Sequence, residues 1–198
     1  MPTVLKPPRV VIVFGLAASG KSTLARALAL RLGLRLVHPS GLIRQLMEGG
    51  SLKTERSRCN DGYWESDEGM RRLSRRLEQP APVDIEVTQV LLQEVDRGEV
   101  VIDSWSLPWL SLLGTKIHLR ASLAVRAKRA AERANISPTL AAQRIVQKDS
   151  ETRELFLRLY GFDIFQDFED RFHLTVDTEA LAVEQVESLV LAELLAGG

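Results

Sequence analysis

Val10 to Leu34 reads VVIVFGLAASGKSTLARALALRLGL. An uninterrupted apolar run, Val10 to Phe14, enters a loop that opens at Gly15 and closes at Gly20-Lys21-Ser22. Such a run suits a strand covered on both faces. Beyond the loop, Leu24, Ala27, Leu28 and Leu32 recur at helical spacing, and Gly33 is a helix stop. Gly15-Leu16-Ala17-Ala18-Ser19-Gly20-Lys21-Ser22 matches G-x-x-x-x-G-K-S/T in full, with Thr23 following. The spacing has a mechanism. Consecutive backbone N–H groups curl around a phosphate, and glycines let the backbone approach it. The lysine reaches the β and γ oxygens, and the serine hydroxyl ligates Mg²⁺. The positive end of the following helix adds to anion binding.

Composition narrows the setting. A chain of 198 residues fits one domain, taken as residues 1–198. Its charges balance, 26 basic against 26 acidic, so no global field draws it to nucleic acid or to a membrane. The single cysteine, Cys59, excludes an internal disulfide framework and cysteine-built zinc sites. His38, His118 and His173 show no metal-ligand spacing. The apolar stretch after Lys6 and Arg9 is short and interrupted by the loop motif, and no run reaches the roughly 18 apolar residues of a membrane span. The expectation is a soluble, cytoplasmic monomer, with neither membrane nor nucleic acid as partner.

Strand-like runs at 34–37, 99–103, 116–121 and 172–177 alternate with helical patterns. The helical segments are one after Ser40, then 84–96, 122–134, 138–149, 150–160 and 180–195. That alternation predicts an α/β fold of three layers: the P-loop NTPase fold, with a five-stranded parallel sheet. Residues 51–82 are polar and turn-rich, with only a short helical pattern around 68–77, and read as a mobile insert over a site.

A triphosphate site with Mg²⁺ needs an acid at the end of a neighbouring buried strand. Asp103, closing VVID, fits, although a strand-end aspartate can also be a helix cap. Arg44, one turn into the helix after Ser40, is placed to grip an acceptor phosphate or to lie in solvent. Arg126, Arg129 and Arg133 share one helical face, suited to the charge of a transferring phosphoryl group or to surface ion pairs. Lys148, Asp149 and Arg153 form a charged segment that suits a lid excluding water.

These segments resemble the nucleoside monophosphate kinases, most closely the archaeal-type cytidylate kinase-like family. GLAASGKST, LGLRLVHPSGLIRQL, VDIEVTQVLLQEVDRGEVVID, IHLRASLAVRAKRAAERANIS, KDSETRELFLRLYGFDI and LTVDTEALAVEQV carry the likeness nearly end to end. It implies ATP-dependent phosphorylation of CMP or dCMP, with ATP and Mg²⁺ as cofactors and a small nucleotide as the substrate partner. It places Gly15, Leu16, Ala17, Ala18, Ser19, Gly20, Lys21, Ser22, Thr23 and Arg126 on ATP, and Ser22 and Asp103 on the metal. Ser40, Arg44, Asp84 and Trp105 fall on the acceptor side, and Lys21, Arg129 and Arg153 are the catalytic candidates. An acceptor region (about 40–97, with the insert) and a lid (about 122–160) complete the expected domain.

Two departures stand out. Asp103-Ser104-Trp105 occupies the place of the family's Glu-Gly-Arg, so Trp105 replaces an acceptor-holding arginine, either stacking on a ring or filling apolar space. The 51–82 insert, with Arg56, Arg58, Tyr63, Trp64, Arg71, Arg72, Arg75 and Arg76, is longer and more polar than the family needs. It could supply the missing arginine or admit another acceptor. A kinase of another small molecule and a non-catalytic nucleotide-binding regulator remain the alternatives.

Overall fold

The computed structural model describes residues 10–56, 62–78, 82–166 and 170–196. Arg58 and Cys59 lie outside the described residues. Five parallel strands form one sheet in the order β2-β3-β1-β4-β5: β1 Val10–Phe14, β2 Arg35–Val37, β3 Val100–Asp103, β4 Thr115–Arg120 and β5 Leu174–Asp177. The α/β fold expected from the alternating pattern is the one observed.

β1 is central, and every residue in it is buried. On one face Val11, Val13, Val101, Ile117, Leu119 and Val176 pack under α1 (Lys21–Leu32) and α8 (Val183–Ala196). On the other, Val10, Ile12, Val100 and Ile102 meet α2 (Pro39–Met47) and α4 (Pro82–Arg97). Phe14 continues that second face into an aromatic cluster with Trp109, Phe162 and Phe172. Covering on both faces is why β1 carries no polar residue. Because β1 lies between β3 and β4, the loop leaving its C-terminal end is flanked by the ends of both, where α/β sheets hold ligands.

Two expectations change. The insert is not structureless: a 3₁₀ turn, Tyr63–Glu65, leads into α3 (Asp67–Glu78). Trp64, Met70 and Leu73 are buried there. The stretch reads as polar because so narrow an apolar stripe is diluted by charged neighbours. Similarly, the two helices expected at 138–149 and 150–160 are one, α7 (Pro138–Tyr160), capped by Ser137 and ended by Gly161. No glycine or proline interrupts it, and Asp149, which read as a helix end, is turned inward and paired with Arg126. α6 (Leu123–Ala134) packs along α7 as a hairpin. Between β3 and β4, the short α5 (Leu107–Leu110) carries Trp109. Among the described residues no helix is long and apolar enough to cross a membrane.

The turn before α3 lies so close to it that a Cβ on Gly69 would strike the Tyr63 carbonyl and approach Trp64 Cα at 2.9 Å. Backbone cannot yield as a flexible side chain does, and overpacking costs about 1–3 kcal/mol. Gly69→Ala should lower the melting temperature by roughly 3–10 °C, measured by scanning calorimetry. An unchanged transition would show that the turn is not seated on the helix.

Candidate active site

The phosphate loop is held in shape by features the motif alone does not display. Gly20 adopts φ 102° as the N-cap of α1, a left-handed backbone open chiefly to glycine. Ala18 is also left-handed, at φ 61°, which costs a non-glycine residue about 1 kcal/mol. Lys21 Nζ donates to the Leu16 carbonyl at 3.0 Å and sits 5.0 Å from the centroid of the Trp105 ring. Burial lowers the Lys21 pKa from 10.5 to about 8, although the neighbouring Asp103 pulls it upward.

Sheet register brings Asp103 to the loop: it pairs with Val13, two residues before Gly15. Ser22 Oγ donates to Asp103 Oδ2, and Asp103 Oδ1 lies 3.0 Å from His38 Nδ1 at the end of β2. A hydroxyl and a carboxylate oxygen side by side suit Mg²⁺, which takes one or two protein ligands and completes its shell with water and phosphate. Among the described residues no group of three or more His, Cys, Asp or Glu could hold a metal.

A cleft opens from the loop. Ala17, Ala18, Gly20, Lys21, Ser22 and Thr23 line one end, with Asp103, Trp105 and Ser40 beside them and Asp84 further along. Its far wall is apolar: Ile43, Trp64, Leu73, Val87, Leu91 and Phe156. Into that wall projects a buried ion pair. Arg76 of α3 grips Asp84 of α4 with two nitrogens, Nε to Oδ2 at 2.6 Å, and the side chains are 10% and 4% exposed. The Tyr160 hydroxyl lies within reach of Thr88 Oγ1 (2.9 Å) and the Asp84 carbonyl (3.3 Å).

Glu65, Thr88 and Thr152 line the cleft without having been assigned a site role from the sequence. Glu65 accepts from Arg133 Nη2 at 2.8 Å. Lys148 lies over the Trp64 ring at 5.8 Å, its pKa lowered by burial and partly restored by Glu65. Thr88 and Thr152 complete the polar lining. Arg133 and Lys148 were visible as charges in the right segments. Arg76 was one of several insert arginines expected to stand in for the missing one, whereas Glu65 carried no such signal, being an acid in a stretch full of charge.

Other expected residues are not brought to this cleft. Arg44 lies over Tyr63 at 4.7 Å and donates to Glu48. Arg129 donates to Thr178 Oγ1 at 3.0 Å and to the Thr178 carbonyl after β5. Arg153 pairs with Asp163 and covers Phe165. Arg126 is buried behind the loop, where Leu16 and Ser19 face a second groove. Gly15 is buried beneath the loop, where a Cβ would meet Ser19 and the Leu119 carbonyl.

The description of the cytidylate kinase-like family matches residues 10–180. The chain belongs to that family. This cytidylate kinase-like protein is 30% identical to a cytidylate kinase of Ignicoccus hospitalis over 188 residues, covering 94% of this chain and 99% of the relative. It is also 30% identical to a cytidylate kinase of Aeropyrum pernix, covering 91% and 95%. A shikimate kinase from Acinetobacter baumannii in complex with shikimate superposes with a TM-score of 0.52 at 16% identity, covering 98% of this chain and 96% of that one. At that identity the likeness shows the P-loop kinase fold alone. The family makes this protein an ATP-dependent nucleoside monophosphate kinase.

Only protonated Lys21 neutralises phosphate. With its pKa near 8, raising the pH through 8 removes that charge from the free kinase, and nucleotide binding must restore it. ATP affinity should fall about tenfold between pH 7 and pH 9, with proton uptake on binding at pH 8.5. Calorimetry in two buffers of different ionisation enthalpy measures both. A flat profile would mean that Lys21 keeps its ordinary pKa in the folded kinase.

Proposed function

We propose that this kinase transfers the γ-phosphoryl group of ATP to CMP or dCMP, giving the diphosphate and ADP. The names of the relatives supply the acceptor class, and the buried Arg76–Asp84 pair carries the reading for this chain. Cytosine presents an N4 amino donor beside the N3 and O2 acceptors. A carboxylate that only accepts and a guanidinium that only donates are complementary to that edge. Uracil puts O4 and N3–H in the same places, setting an acceptor against Asp84. The apolar wall around the pair suits a base ring.

On the donor side, the loop from Gly15 to Thr23 holds the ATP phosphates, and Lys21 neutralises them. Ser22 and Asp103 would hold Mg²⁺, which when bound supplies further charge neutralisation to the phosphates. Arg133 and Lys148 face the same cleft and are placed to balance charge on the transferred group. They supply the positive charge that Trp105 cannot, while Trp105 forms a floor under the Lys21 ammonium. Ser40 borders the acceptor end. An acceptor phosphate is already an anionic nucleophile, so the reaction needs positioning and charge rather than a general base. Of the catalytic candidates Lys21 keeps that place, whereas Arg129 and Arg153, like the acceptor-side Arg44, receive no contact with the transferred group in this reading.

ADP formation from ATP and Mg²⁺, measured with each of CMP, dCMP, UMP, AMP, GMP and dTMP, tests the assignment. CMP and dCMP should exceed UMP by about 10- to 100-fold in kcat/KM. Lys21→Ala should abolish turnover. Asp84→Asn introduces an amide able to donate to O4 of uracil, so it should narrow the gap between CMP and UMP. Background turnover with all six acceptors would exclude the nucleoside monophosphate reading.

A further inference from the structure

We propose that Arg126 and Asp149 are positioning residues for the phosphate loop, a clamp through which the α6–α7 hairpin sets the backbone at Ala17. The inference rests on the kinase reading only in taking the loop as the triphosphate site. Asp149 Oδ1, on α7, accepts from the Ala17 N–H at 3.1 Å. Arg126 Nη1, on α6, donates to the Ala17 carbonyl at 3.1 Å and to Asp149 Oδ2 at 2.6 Å. One residue of the loop is thus held by its donor and its acceptor at once, by two oppositely charged groups that also hold each other. The side chains are 8% and 5% exposed, and Ala17 is 2% exposed.

Three observations separate this clamp from an ordinary buried ion pair. First, its partners lie 109 and 132 residues along the chain from Ala17, so it ties two long helices to a loop they do not adjoin in sequence. Second, Ala18, the next residue, is left-handed at φ 61°, a conformation that persists in a non-glycine residue only where the surroundings impose it. Third, Arg126 Nε is buried without a hydrogen-bond partner. Stability alone favours apolar packing over an ion pair with an unsatisfied donor. The guanidinium is placed for what Nη1 does. Because the Ala17 N–H is spent on Asp149, this clamp determines how the peptides after it face the cleft.

The test compares the apolar double substitution Arg126→Met/Asp149→Leu with wild type, by melting temperature, by calorimetric ATP affinity without acceptor, and by KM for ATP and for CMP. The double variant should melt within a few degrees of wild type yet bind ATP about tenfold or more weakly. KM for ATP should rise while KM for CMP moves less than twofold. If the double variant does not fold, Arg126→Lys keeps the charge and one donor, and should show a smaller rise in the ATP constants alone. An ATP affinity within twofold of wild type in a folded variant overturns the proposal, as does a proportional rise in both KM values. Wild-type protein that binds ATP without turning over CMP would sink the acceptor assignment and leave the affinity comparison intact.

Discussion

The Asp103 carboxylate is the interaction on which the site depends. One oxygen accepts from Ser22 in the phosphate loop, and the other faces His38 at the end of β2. The side chain therefore joins the ends of three neighbouring strands at the point where the loop begins. Parallel pairing of β1 with β3 makes this possible, because it places Asp103, the last residue of β3, beside Val13, the penultimate residue of β1. A carboxylate this buried is tolerated only with its hydrogen-bonding capacity met. Its two partners meet it while leaving the pair of oxygens that suits a hard cation.

From that point the cleft is a balance of charges, several of them on buried side chains. Lys21, Arg76, Arg133 and Lys148 line it against Glu65, Asp84 and Asp103. In the free protein Arg76 rests on Asp84 and Arg133 on Glu65. Left unpaired, such charges would be costly, and burial already lowers the pKa of Lys21 and of Lys148. A phosphate group entering such a cleft meets cations already oriented, so little reorganisation remains. The acids come partly from the insert: Glu65 sits in the 3₁₀ turn before α3. The Glu65 carbonyl also accepts from Arg144 on α7. The stretch that looked like a loose cover is thus tied to the α6–α7 hairpin.

Much of this was legible from local pattern. Gly15 to Thr23, the buried strand before it and the Asp103 strand end carry signals at fixed spacing, because a phosphate nest and a doubly covered strand each demand a particular residue at each position. Trp105 was visible as a departure, and it does line the cleft. The arginines were the hard part. Arg126, Arg129 and Arg133 share a helical face in sequence, yet one grips the back of the loop, one binds the β5–α8 connection and one enters the cleft. Periodicity gives the direction of a long side chain only to within a face, and its reach to a partner depends on what packs there.

The sequence by itself determined the α/β class, the phosphate loop and the family, since these follow from residues adjacent in the chain. Tertiary structure alone decided which charges meet. Arg76 finds Asp84, Glu65 finds Arg133, and Arg126 with Asp149 finds Ala17, all across separations that no local pattern encodes. The physical reason is that ion pairs are selected by burial and geometry after the elements have packed. A chain with equal numbers of acids and bases offers many possible pairings, and only the packed fold selects among them.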